Sequence, residues 1–337
     1  IVPITDLTIK DDNLIVATQG RSLWIIDDLT VLHQLDTNDK NQDAILFRPK
    51  ESYRTKGGTR KNASKTAGQN HPNGVLTHFF LKDISDNDSI ALTYTTMRGD
   101  TLATYNNTTK EKDKKLEVKK GGNTHVWNTR GKGAEKLEGM ILWWANLDGA
   151  KAVPGNYTVH LNVNGVNNSQ EFVILPDPRA EASVDDMQKQ FDFISDINKT
   201  VDKAHQSIKK IRNITTQLTA FTTQYKDNVE TATLVEKAKK MKEKFGEVEK
   251  ALYQTQNKSG QDPLNFPIKL TNKLGHLNSL VAIDDFPPTE QDIEVKNELT
   301  EQINEQLSTF DALISKEIKD FNAEFNRLKL NYLFVEN

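Results

Sequence analysis

The chain has 337 residues, 36% hydrophobic and 27% charged, and its 44 basic and 47 acidic side chains leave a formal charge of −3. That length accommodates two or three domains with their own cores, and the near balance of charge supplies no net field to attract nucleic acid or an anionic membrane. Cysteine is absent, which excludes disulfides, thiolate nucleophiles and Cys-ligated zinc, and no apolar run approaches the roughly 20 residues that span a bilayer.

The first 36 residues read as short strands. ITDLTIK (4–10) alternates, Asp11-Asp12-Asn13 turns the chain, LIVAT (14–18) is nearly all apolar, Gly20 breaks it, and LWII (23–26) follows. Three strands with tight turns are the pattern of part of an antiparallel propeller blade. So short a sheet needs a neighbour to bury its faces. Because the chain opens at Ile1 directly on strand material, it reads as the C-terminal portion of something longer.

From Ala44 to Pro178 strand signals recur at sandwich spacing. They cover 44–47, 75–81, 90–96, 101–105, 116–118, 124–128, 157–163 and 170–175. Two polar, lysine-rich stretches, 60–69 and 106–115, read as solvated loops. In the final hairpin Tyr157, Val159, Leu161 and Val163 alternate with polar residues, Asn164-Gly165 makes the turn, and Pro176 and Pro178 stop the sheet. These signals predict an immunoglobulin-like or fibronectin-like β-sandwich over residues 37–178.

After Arg179 the apolar period changes from two to three and four. Ser183 with Asp186 suggests an N-cap. A stripe from Met187 to Tyr225 predicts one helix of about 40 residues, or two with a kink, and a second stripe runs from Leu234 to Leu252. A short helix is expected over 267–282. Pro287-Pro288 then breaks the chain, and Thr289 with Asp292 opens a last helix whose stripe reaches Leu328. An antiparallel four-helix bundle over 179–337 is the expected arrangement. The fold class is therefore multidomain, all-β followed by all-α, with boundaries near 36 and 178.

An ordered series of motifs carries a family resemblance. Ala17, Thr18, Gly20, Arg21, Ser22, Trp24 and Asp27-Asp28 stand in the pattern that leads out of the last blade of large bacterial sortilin-like or sialidase-like (BNR-repeat) propeller proteins. Gln19 sits where a His is common. Gly68-Gln69-Asn70-His71-Pro72-Asn73-Gly74, Val126-Trp127-Asn128-Thr129-Arg130, VPGNYTV and DPR continue the likeness over about residues 1–180. The chain resembles the C-terminal region of that family, often labelled glycosyl hydrolase. The resemblance implies an N-terminal propeller as a partner within the same polypeptide, a secreted, periplasmic or cell-envelope setting, and a role in glycan processing or protein binding. It puts any active site on the propeller, since the repeat box S-x-D-x-G-x-T-W is absent here.

No catalytic residue is assigned within this chain. The seven histidines form no HExxH pair, and His78, His125 and His160 on predicted strands are solvent-facing by default. Asp27 and Asp28 are adjacent, so on a strand they point to opposite faces and cannot flank one glycosidic bond; a turn or cap role suits them better. Asp83, Asp86 and Asp88 crowd one turn, where an oxygen-rich Ca²⁺ site competes with ordinary turn formation. Trp143 and Trp144 in MILWWANL, read as strand, should face opposite ways. One would then be core, and the other either stacks on a sugar ring or packs on neighbouring structure. Lys237, Lys239, Lys240, Lys242 and Lys244 alternate with glutamates and read as a solvated helix face without interleaved aromatics, so no nucleic-acid partner is expected. The leading reading is a non-catalytic region that packs on the propeller and offers a docking surface to a further protein. The alternatives are a carbohydrate-binding accessory module, or part of an enzyme whose active site lies on the propeller.

Overall fold

Period-two alternation produces the strands of the first 176 residues, and three-four periodicity produces the helices after 183. A computed structural model describes residues 2–35, 42–55 and 71–330. The expected boundary near residue 36, the loop over 60–69 and the Gly68-Gln69-Asn70 part of the motif series lie outside the described residues. The chain divides into two compact units, Ile1–Lys132 with Lys151–Val184, and Gly133–Ala150 with Asp185–Asn337.

In the first unit β1 (Ile4–Lys10), β2 (Asn13–Thr18) and β3 (Leu23–Ile26) form a separate antiparallel sheet in the order β1-β2-β3. A helical turn, α1 (Thr30–Leu35), follows. So short an element carries no periodic signal in the sequence. Asp28 starts it, accepting hydrogen bonds at Oδ1 from the backbone N–H (3.0 Å) and hydroxyl of Thr30. That is the turn role expected of Asp27-Asp28.

Two further sheets face one another. One has the order β5-β11-β10-β7-β8, built from β5 (Ser52–Arg54), β7 (Ile90–Thr96), β8 (Thr101–Asn106), β10 (Gly155–Val163) and β11 (Val166–Pro176). The other has the order β4-β6-β9, built from β4 (Ala44–Leu46), β6 (Val75–Leu81) and β9 (Gly121–Trp127). All pairings are antiparallel except β5 with β11. The inner faces meet at Trp127 and Tyr94, stacked with ring centroids 4.6 Å apart, with Phe172 edge-on to both. The Tyr94 hydroxyl bonds Thr77 Oγ1 at 2.8 Å, so its polar end is satisfied within the core. Phe79, Leu92, Val159, Leu161 and Ile174 complete that core.

Two sequence expectations fail in this unit. Residues 116–118 form no strand. Leu116 is a single buried anchor whose N–H bonds the Asn106 carbonyl, which is enough to fasten the loop after β8. The short β5 went unrecognised because three residues carry no measurable period.

In the second unit α2 (Val184–Gln224) is one unbroken helix of 41 residues. Then come α3 (Ala232–Leu252), α4 (Leu270–Val281), α5 (Glu290–Ala312) and α6 (Lys319–Arg327), the last two joined by a π-helical turn over Leu313–Ile318. Every residue of the expected stripe Leu234, Ala238, Met241, Phe245, Val248 and Leu252 is buried. Thr289 and Asp292 form a reciprocal capping box at the start of α5. Lys296 near the start of α5 pairs with Asp196 in the first half of α2, and Phe321 of α6 packs edge-on against Phe221 near the end of α2. The leg of α5 and α6 therefore runs the same way as α2. Arg212 pairs with Glu249, and Asn278 bonds Asn198, so α3 and then α4 run back along α2 as one return leg. Five helices make three legs here, rather than the four expected, because α3 and α4 share one leg and α5 and α6 another.

Candidate functional site

Three features carry unspent chemistry: an open apolar sheet face, a stacked pair of tryptophans with one indole exposed, and a set of buried and half-buried histidines.

The sheet face follows from register. Leu7 pairs with Val16 and Val16 with Trp24, while Ile9 pairs with Leu14 and Leu14 with Ile26. Partners opposite one another share a face, as do residues two apart. Leu7, Ile9, Leu14, Val16, Trp24 and Ile26 thus form one continuous apolar surface. The opposite face mixes Asp6, Thr8 and Lys10 with Ile15, Ala17, Leu23 and Ile25. Among the described residues both faces are open: Ile9 and Trp24 are each 63% exposed on the apolar face, and Leu23 is 68% and Ile25 57% exposed on the mixed one.

The tryptophan pair lies where the sequence reading went wrong. Residues 141–146 are not a strand, and the segment Gly133–Ala150 belongs with the helices of the second unit. Its backbone is held by buried side chains of those helices. Asn272 grips Trp143 twice, Oδ1 accepting from its N–H (2.8 Å) and Nδ2 donating to its carbonyl (2.9 Å). The Tyr253 hydroxyl accepts from the Ile141 N–H at 3.0 Å, and Asn198 and Asn278 both donate to the Asp148 carbonyl. His205, fully buried, bonds the Glu135 carbonyl through Nδ1 at 2.6 Å. Where the segment closes on itself Gly133 is required, because a Cβ there would lie 2.2 Å from the Leu147 carbonyl oxygen.

On this scaffold Trp144 adopts φ +49°, a left-handed conformation costly for a bulky residue. The strand expectation had the two indoles on opposite faces. The left-handed turn instead stacks them on one side, centroids 5.8 Å apart and planes within 5°. Trp143 is half-buried and Trp144 is 73% exposed. His276 from α4 stands edge-on to Trp144 at 6.3 Å.

The histidines predicted on strands do not converge. His78 bonds Thr124 across β6–β9, and His160 bonds Thr95 and Ser169 on the other sheet. His125 packs on the Tyr105 ring at 4.3 Å, with its Nε2 buried and unpartnered. Burial pushes the His125 imidazole down to about 4, and lowers His78 and His205 as well, the nearby Asp28 charge opposing the effect at His78.

The aspartate turn is occupied by structural bonds. Asp83 pairs with Lys120 at 3.2 Å. Asp88 accepts from the Ser85 N–H (2.6 Å) and from Asn164 Nδ2 (2.8 Å), which hold its carboxyl below the usual range. Asp86 sits between them in the sequence, and among the described residues no three Asp, Glu or His side chains converge as metal ligands. Of the α3 lysines, Lys239 pairs with Glu236 and Lys244 with Glu317. No described helix is long and apolar enough to cross a membrane.

A groove of about 640 Å³ runs between α2 and α5 past Asp196, Lys296, Glu301 and Glu305. Its lysine is already committed to Asp196 and to the Phe193 ring beneath it.

No family model matches the chain, and no curated protein matches it. Among solved structures, one named "pT26-6p" aligns over 80% of this chain and 49% of its own length, at 12% identity and a TM-score of 0.16. The chain thus spans about half the length of that structure, and the superposition carries no argument about fold or function.

Proposed function

We propose that this chain is a non-catalytic interaction region that docks through the open face of β1–β3. The observation that carries the reading is the six-residue apolar surface of Leu7, Ile9, Leu14, Val16, Trp24 and Ile26, which the described residues of its unit leave uncovered. A three-stranded sheet needs a second layer to bury such a face. Burial of these side chains contributes on the order of 5–10 kcal/mol before association entropy is subtracted. The occupant we assign is a preceding blade of a sortilin-like or sialidase-like propeller in the same polypeptide, which the motif series from Ala17 to Asp28 supports. On this reading β1–β3 are terminal propeller strands, the facing sheets are an immunoglobulin-like or fibronectin-like sandwich, and the helices offer a further docking surface in the cell envelope.

Hydrogen exchange tests the assignment. Amides of residues 4–26 should exchange fast in this chain by itself and slowly when a propeller precedes it in the same polypeptide. The chain by itself should also bind a hydrophobic dye or self-associate, and the double substitution Leu7→Ser with Trp24→Ser should suppress both. Equal protection of residues 4–26 in the two contexts would remove the basis for the proposal.

A further inference from the structure

The exposed indole of Trp144 is held outward by strain and by buried anchors. A tryptophan free to rotate would cover itself, since its ring gains more from burial than any other side chain. Here the left-handed backbone at Trp144, the two hydrogen bonds exchanged between Asn272 and the backbone of Trp143 next to it, and the Asn146 N–H bond to the Gly275 carbonyl (3.0 Å) fix the turn. Gly275 has no room for a side chain to spare, since a Cβ there would lie 3.1–3.2 Å from Leu147 and Ala145. Backbone strain maintained in this way marks positions where a side chain is presented rather than packed.

The geometry of the presentation selects the ligand class. One face of Trp144 is taken by Trp143, so a single flat apolar face remains. An aromatic cage for a cation needs several faces around one point, and this site offers one. A nucleic-acid strand needs cations for its phosphates, whereas the segment carries Glu135, Glu138 and Asp148 against Lys136. A pyranose ring with equatorial hydroxyls fits better. Its axial C–H groups form an apolar face for the indole, while its hydroxyls remain at the rim. His276 stands perpendicular to Trp144 with ring centroids 6.3 Å apart, half-buried, with neither ring nitrogen hydrogen-bonded among the described residues. We propose that Trp144, backed by Trp143 and flanked by His276, is a stacking subsite for one pyranose ring of a glycan. Trp144 supplies the platform, and His276 exchanges a hydrogen bond with a ring hydroxyl.

The test uses the complete chain with cellopentaose and N-acetylchitopentaose as probes, followed by tryptophan fluorescence and calorimetry. A saturable response with Kd near ~1 mM is expected for at least one of them, as a single stacked ring with one hydrogen bond implies. Trp144→Ala should abolish it, Trp144→Phe should keep part of it, and His276→Ala should weaken it about five-fold. The far-UV spectrum and melting temperature should stay unchanged in all three. Silence toward both glycans overturns the assignment, as does undiminished binding by Trp144→Ala. So does a lowered melting temperature or altered self-association in Trp144→Ala without an effect on glycan binding, since the indole would then be a protein contact.

Discussion

At the scale of single residues, the chemistry of this chain is dominated by polar groups that burial leaves with few choices. His125 shows it best. Its ring lies against Tyr105 with Nε2 unpartnered, and burial takes its pKa from the ordinary 6.5 to about 4. Between those two values the unfolded chain binds a proton that the folded chain refuses. Stability is therefore at its full value above about pH 6.5 and falls as pH drops toward 4, with His78 and His205 contributing in the same direction. Urea melts across pH 4–8 should show this slope, and His125→Phe, which fills the same space against Tyr105, should reduce it. An unchanged slope would place the acid sensitivity elsewhere.

Among elements, the last helical leg depends on a local device at its start. The Thr289 hydroxyl accepts from the Asp292 N–H, and the Asp292 carboxylate accepts from the Thr289 N–H at 2.8 Å. Thr289→Ala removes half of that exchange and should lower stability by about 1 kcal/mol, read at 222 nm in a denaturant melt. Thr289→Asn should restore most of the loss. Later in the same leg the wide turn over Leu313–Ile318 interrupts an apolar stripe that the sequence showed as continuous. Side-chain spacing reports which residues are apolar, but hydrogen-bond slippage within a helix changes no residue identity, so it leaves no mark in the sequence.

For the whole molecule, the consequential feature is the excursion of residues 133–150. The chain leaves and returns at one point in the first unit, marked by the bridge between Arg130 and Lys151 and by the Ala152 N–H bond to the Thr129 carbonyl. In the second unit the segment's carbonyls accept hydrogen bonds from Asn198, His205, Asn272 and Asn278, with His205 Nε2 and Asn278 Oδ1 left unpartnered among the described residues, and its Leu147 and Ala150 join the helical core. Replacing residues 134–149 with a Gly/Ser linker should leave these buried groups without partners, at about 1–3 kcal/mol each. The helical signal should then melt many degrees lower. A helical unit that melts unchanged would show the segment to be a passenger.

The change of apolar rhythm near Arg179, the hairpin turn at Asn164-Gly165, the capping pair Thr289/Asp292 and the α3 stripe were all legible in the sequence. Each is a local property, fixed by residues within a few positions of one another. The fate of Trp143 and Trp144 was not legible. Their setting is decided by hydrogen-bond partners between 50 and 130 positions away, and by a left-handed turn that no periodic pattern announces. The residues themselves dictated strand or helix almost throughout, because those preferences are local. Only the tertiary structure decided which unit claims the loop and which indole faces solvent, because that choice belongs to distant polar groups seeking partners in a core.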